Sequence, residues 1–81
     1  MNLRKLTLNV KLKMNNEYKA MVEQLVIYRH EKKLSQEDLA DIIGIGNSLV
    51  HKWEQHKRIP SGFMLSCWVD ALGCKIEVTK R

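Results

Sequence analysis

The hydrophobic and polar positions change period along the chain. Residues 3–13 alternate, with Leu6, Leu8, Val10 and Leu12 on one side and Thr7, Asn9, Lys11 and Lys13 on the other. A period of two predicts a half-buried strand within an N-terminal arm, 1–14. Asn15-Asn16 then punctuates the pattern and offers a helix N-cap. From Glu17 the spacing becomes helical: Tyr18, Met21, Val22, Leu25 and Val26 follow i, i+3, i+4, i+7, i+8, which predicts a helix over 17–32. The next position of that stripe is Arg29. An unpaired cation on an apolar face is costly, so a carboxylate is expected on another apolar stripe.

Three shorter helices are expected after it. Ser35 and Asp38 have the spacing of a capping box, which starts a helix over 36–43 with Leu39, Ala40 and Ile43 inward. Residues 47–55 form the next, with Val50 and Trp53 inward. Glu54 lies beside that stripe, and it is the carboxylate that Arg29 requires. The expectation is a structural Arg29–Glu54 ion pair joining the two helices. Pro60 and Ser61 open a helix over 62–72, whose stripe is Leu65, Trp68, Val69 and Leu72, and Gly73 suits its end. Cys74, Ile76 and Val78 then alternate with Lys75, Glu77 and Thr79, which predicts a short strand in 74–81. A lone strand needs a partner, and the N-terminal strand is the candidate, within one chain or between two.

Composition narrows the function. At 81 residues the chain is one small domain, 15–73 being its helical body. No apolar run approaches the roughly 20 residues that cross a bilayer. The basic N-terminus lacks a continuous apolar stretch, so no secretory signal is read and the cytosol is the expected location. The formal charge of +5 favours a polyanionic partner, nucleic acid before a membrane surface. Cys67 and Cys74 form no C-x-x-C, and His30, His51 and His56 have no zinc-like spacing with them, so neither metal nor cofactor is expected. No catalytic constellation is found, which argues against an enzyme.

Two glycines pose the main question. Gly44-Ile45-Gly46 sits where a phosphate-cradling loop or a turn between helices could lie. A dinucleotide fingerprint needs a third glycine where Leu49 stands, and a strand before Gly44 rather than a capped helix. A phosphate loop of the Gly-Lys-Ser/Thr type is absent. The turn fits better: Gly44 takes positive φ to end one helix, Ile45 plugs the corner, and Gly46 or Asn47 begins the next. Two helices joined this way are a helix-turn-helix.

The stretch LSQEDLADIIGIGNSLVHKWEQHKRIP resembles the helix-turn-helix of the phage lambda repressor/Cro-like family, the XRE-type regulators. The likeness rests on Leu34-Ser35-Gln36, Leu39-Ala40, Gly44, Trp53-Glu54 and Pro60, with Arg29 seven residues before Gln36, and it covers about residues 25–73. Two positions depart from the pattern. Gly46 stands where the family has a Ser or Thr cap, and His56 stands where it has Gly. The second departure predicts a different shape for the following loop, since a non-glycine residue disfavours positive φ.

The resemblance implies a mainly α fold: a lambda-repressor-like bundle of four helices, here with strands added at both termini. It implies double-stranded DNA as partner, with helix 47–55 in the major groove. Asn47, Ser48, Leu49 and Lys52 match the base-reading positions. Asn47 suits adenine, Lys52 guanine, Leu49 a thymine methyl, and Ser48 a base or phosphate. Gln36 matches a phosphate or base-edge anchor. Lys57 and Arg58 are expected on phosphates, and His51 on phosphate or on nothing. The plainer alternatives are that Asn47 only caps its helix and that Lys52, Lys57 and Arg58 are solvated charges. A repressor acting as a homodimer through the terminal strands is the leading expectation. The alternative is an antitoxin-type module with a toxin-like protein partner, autoregulating through the same helices.

Overall fold

The computed structural model describes residues 3–80, with side chains described from residue 16 onward. Four helices follow in order: α1 (Leu3–Glu31), α2 (Gln36–Ile43), α3 (Asn47–Glu54) and α4 (Gly62–Ala71). The last three begin and end within one residue of the sequence expectation. No helix among the described residues is long and apolar enough to cross a membrane.

The core collects one stripe from each helix. Val22 and Leu25 of α1, Leu39 and Ala40 of α2, Val50 and Trp53 of α3, and Trp68 and Val69 of α4 are buried together, joined by Leu72. Trp53 and Trp68 stack with ring centroids 5.3 Å apart and planes 29° from parallel. Their helical spacing reads as core, and core is where they lie. Ile45 packs half-buried against this cluster at the corner between α2 and α3.

Local chemistry sets the helix boundaries. Ser35 accepts from the Asp38 backbone N–H at 2.9 Å, and the Asp38 carboxylate accepts from the Ser35 backbone N–H at 2.9 Å, a complete capping box for α2. Gly44 ends that helix in the left-handed region at φ 88°, and its N–H and that of Ile45 both donate to the Ala40 carbonyl. Gly73 does the same after α4 at φ 71°. The other two helix ends use side-chain-bearing residues: Lys33 at φ 57° after α1 and His56 at φ 61° after α3. The expected change of loop shape at His56 does not occur. Its N–H donates to the Trp53 carbonyl and the Lys57 N–H to the Lys52 carbonyl, the double bond pattern of a Schellman end. The loop keeps the glycine-type shape with a histidine in it, and the ring meets Tyr18 edge-on at 6.4 Å.

The terminal strands require correction. The backbone is helical from Leu3, so the first helix is not confined to 17–32, and residues 74–80 adopt no regular element. The alternation of side chains over 3–13 lies outside the residues whose side chains are described. The physical reason is that a strand has no backbone partners of its own, whereas a helix closes its hydrogen bonds within the segment. Leu, Lys and Arg are also good helix formers, and Asn15-Asn16 does not interrupt α1. At the other end Val78 is 92% exposed, which a half-buried strand would not leave. A dimer contact through terminal strands therefore has no strand to start from among the described residues.

Candidate nucleic-acid interface

The α3 helix is fastened at its C-terminal end. Glu54 follows Trp53, whose burial carries the carboxylate into the junction with α1. There the Arg29 Nε donates to Glu54 Oε2 at 2.6 Å, and Arg29 Nη2 donates to Oε1 at 2.9 Å. Both side chains are more than nine-tenths buried. Arg29 Nη1 also donates to the Leu34 carbonyl at 2.8 Å, so the guanidinium joins the end of α1 to the approach of α2. The two-pronged pairing is the strong form of this interaction, because two parallel N–H···O bonds fix distance and orientation together.

A third helix enters through Gln36. Its Nε2 donates to Glu54 Oε1 at 2.9 Å, so one carboxylate holds α1, α2 and α3. The Gln36 carbonyl lies 3.3 Å from His51 Nδ1 on the next exposed turn of α3. Sequence reasoning placed Gln36 as an anchor toward phosphate or a base edge but missed these two contacts. The available signal was chemical: an ionised carboxylate offers about four acceptor positions, and a guanidinium fork leaves some of them open for a neighbouring donor.

The N-terminal end of α3 is open by contrast. Gly46 is its N-cap and makes no side-chain hydrogen bond, and the first turn contains no acid. The plainer role for Asn47, as cap of its own helix, is not the one it takes: it is the first helical residue, beyond the cap position. Asn47, Ser48, His51 and Lys52 are exposed, and Leu49 is half-buried against the core with part of its surface free. The unpaired backbone N–H groups and the positive end of the helix dipole favour an anion at this end.

A cleft of about 530 Å3 runs between the starts of α2 and α3, lined by Arg29, Ser35, Gln36, Glu37, Asn47, Ser48 and His51. Asn47 and Ser48, expected at bases, and Gln36 and His51, expected at phosphates, thus share one surface, whereas Leu49 and Lys52 do not line it. Lys57 and Arg58 are exposed in the loop that follows α3. Among the described residues no group of three or more His, Cys, Asp or Glu side chains stands together as a metal site. Cys67 and Cys74 are free thiols, half-buried at the far side of α4.

The sequence agrees with this geometry on a wider scale. The family model described as helix-turn-helix matches residues 25–78, two thirds of the chain, and takes in the Arg29–Glu54 pair, both turn glycines and the whole cleft. No curated protein and no solved structure matches the chain. With the capped α2, the glycine corner and the anchored α3 in place, the chain belongs to the helix-turn-helix family, of the lambda-repressor-like, XRE type.

Proposed function

We propose that the protein is a sequence-specific regulator of transcription, acting as a repressor, which reads double-stranded DNA with α3 in the major groove. The observation that carries this is the asymmetry of α3. Its C-terminal end is held by the buried Arg29–Glu54 pair, its uncapped N-terminal end presents Asn47 and Ser48 to solvent, and Lys52 is exposed in its last turn. In this assignment Asn47 and Lys52 read base edges, Ser48 and Leu49 supplement them, and Gln36, His51, Lys57 and Arg58 hold the backbone. One such helix reads few base pairs, so two copies related by a two-fold axis are proposed to bind half-sites about one helical turn apart.

The test is selection from a randomised duplex pool by the purified protein at near-physiological salt. An enriched inverted repeat is the expected result, and its spacing gives the dimer geometry. Binding without an enriched motif, vanishing as salt rises, would reduce the interaction to charge attraction alone.

A second reading has its own support. Ile59 and Phe63 are 68% and 75% exposed at the start of α4, and Ile76 and Val78 are 48% and 92% exposed beyond its end. Such apolar side chains suit contact with another protein chain. They support an antitoxin-type role, in which a toxin-like protein docks near α4 while α3 binds the operator of its own gene. Co-purification of a distinct protein, lost in Phe63→Asp, is what this role requires.

A further inference from the structure

The hydrogen-bond chain that begins at the buried ion pair ends on an imidazole, and its polarity is fixed at every link. Glu54 is ionised against Arg29 and therefore only accepts. Gln36 must turn its NH2 group toward Glu54 Oε1, since the flipped amide would set two oxygens against each other. The Gln36 carbonyl then faces His51 Nδ1 at 3.3 Å, and a carbonyl only accepts. The proton on the His51 ring thus belongs on Nδ1. In the neutral ring Nε2 bears a lone pair, and it has no partner among the described residues.

Phosphate oxygens are acceptors as well. A neutral His51 held in this tautomer has nothing to donate to them from Nε2, whereas the imidazolium donates from both nitrogens. We infer that His51 contacts the DNA backbone as an imidazolium, so that DNA binding takes up one proton per protomer and tightens as pH falls. The inference rests on the DNA-binding role proposed above. Gln36 is the positioning residue: it converts the fixed charge of Glu54 into a fixed tautomer at the surface.

The surrounding charges are few. Arg29 and the adjacent His30 come from α1, Glu37 from the start of α2, and Lys52 and Glu54 from α3 itself. Of these, only His30 belongs to the side-chain class whose charge ordinarily changes near neutrality. It and His56 are the controls, since the chain has 3 histidines.

Two measurements test the idea. The first uses the free protein: imidazole nitrogen chemical shifts of His51 in the neutral range. The Nδ1–H tautomer is expected, and it should give way to a mixture in Gln36→Leu. A predominant Nε2–H tautomer in the unmutated protein overturns the inference with no reference to DNA. The second is affinity for the selected duplex between about pH 8 and about pH 6, the range in which histidines titrate. Affinity should rise by up to about tenfold per pH unit for each histidine engaged, as proton linkage requires. His51→Gln should flatten that slope, and His30→Gln and His56→Gln should retain it. In Gln36→Leu the ring is free to present Nε2–H while neutral, so the slope should shrink although His51 is still present. Binding that is specific but independent of pH, or a slope that survives His51→Gln, overturns the inference and leaves the DNA-binding role intact. An absence of specific binding at every pH overturns both.

Discussion

The two ends of α3 are built on opposite plans. At the C-terminal end the buried charges are committed: Glu54 to Arg29 and Gln36, Arg29 to Glu54 and Leu34. At the N-terminal end, about two turns away, the cap is a glycine and the side chains of Asn47 and Ser48 that follow it are uncommitted. The start of α2, a few residues upstream, shows that the chain can cap a helix fully when it does so with Ser35 and Asp38. The open end of α3 is therefore a local choice of residues. A helix held at one end and open at the other presents donors and acceptors in a fixed orientation to whatever lies beyond, which is the requirement for reading a surface.

Removing the anchor should have the largest effect. Glu54→Ala leaves the Arg29 guanidinium buried without its counter-charge and should cost about 3–5 kcal/mol, read by denaturant unfolding. An unchanged midpoint would show that the pair does not hold α3. On the exposed face of α3 stability should hardly move and recognition should. Asn47→Ala and Lys52→Ala should each lose about 1–3 kcal/mol of discrimination at one base position, seen as a relaxed preference on repeating the duplex selection.

The capped start of α2 supplies the next smaller effect. Ser35→Ala should lower stability by about 1 kcal/mol, with DNA preference unchanged. Its pH dependence is defined by Asp38, whose carboxyl is held below its ordinary value by the Ser35 backbone N–H and then by the Ser35 hydroxyl. A carboxyl depressed in the folded state contributes stability above its ordinary range, and that contribution is lost as pH falls from there through the lowered folded-state value. In Ser35→Ala the backbone N–H remains, so the acid limb of a stability–pH curve should shrink without disappearing.

The smallest effect sharpens the contrast most. Gly46→Ser gives α3 a side-chain cap and should add only a few tenths of a kcal/mol, measurable as a small rise in melting temperature. The position is open, with no atom within contact range of an added Cβ. A much larger gain would mean that the bare cap had been costing the fold, rather than leaving α3 free at little expense.

What was legible in the sequence was the part fixed by neighbours along the chain. The start of α2 follows from residues 35 and 38, its end from Gly44, and α4 from Ser61 and Gly73, all local signals. The Arg29–Glu54 pair was legible for a different reason: a cation on an apolar stripe demands an anion on another. Gln36 and His51 carry no such demand, being neutral and tolerable in water, and their contacts become visible only when α2 and α3 are set side by side. The terminal strands failed because alternation over a short segment states which faces differ, while a strand also needs a second strand to bond with. Nothing in residues 3–13 or 74–80 specifies that second strand.

The stacked Trp53 and Trp68 have one more consequence, which concerns light rather than energy. They are the chain's 2 tryptophans, both wholly enclosed, one on α3 and one on α4. Their fluorescence and the coupled near-ultraviolet dichroism of the pair report whether α3 is seated on α4. Both rings are buried, so intrinsic emission should follow unfolding closely and stay silent on addition of the selected duplex.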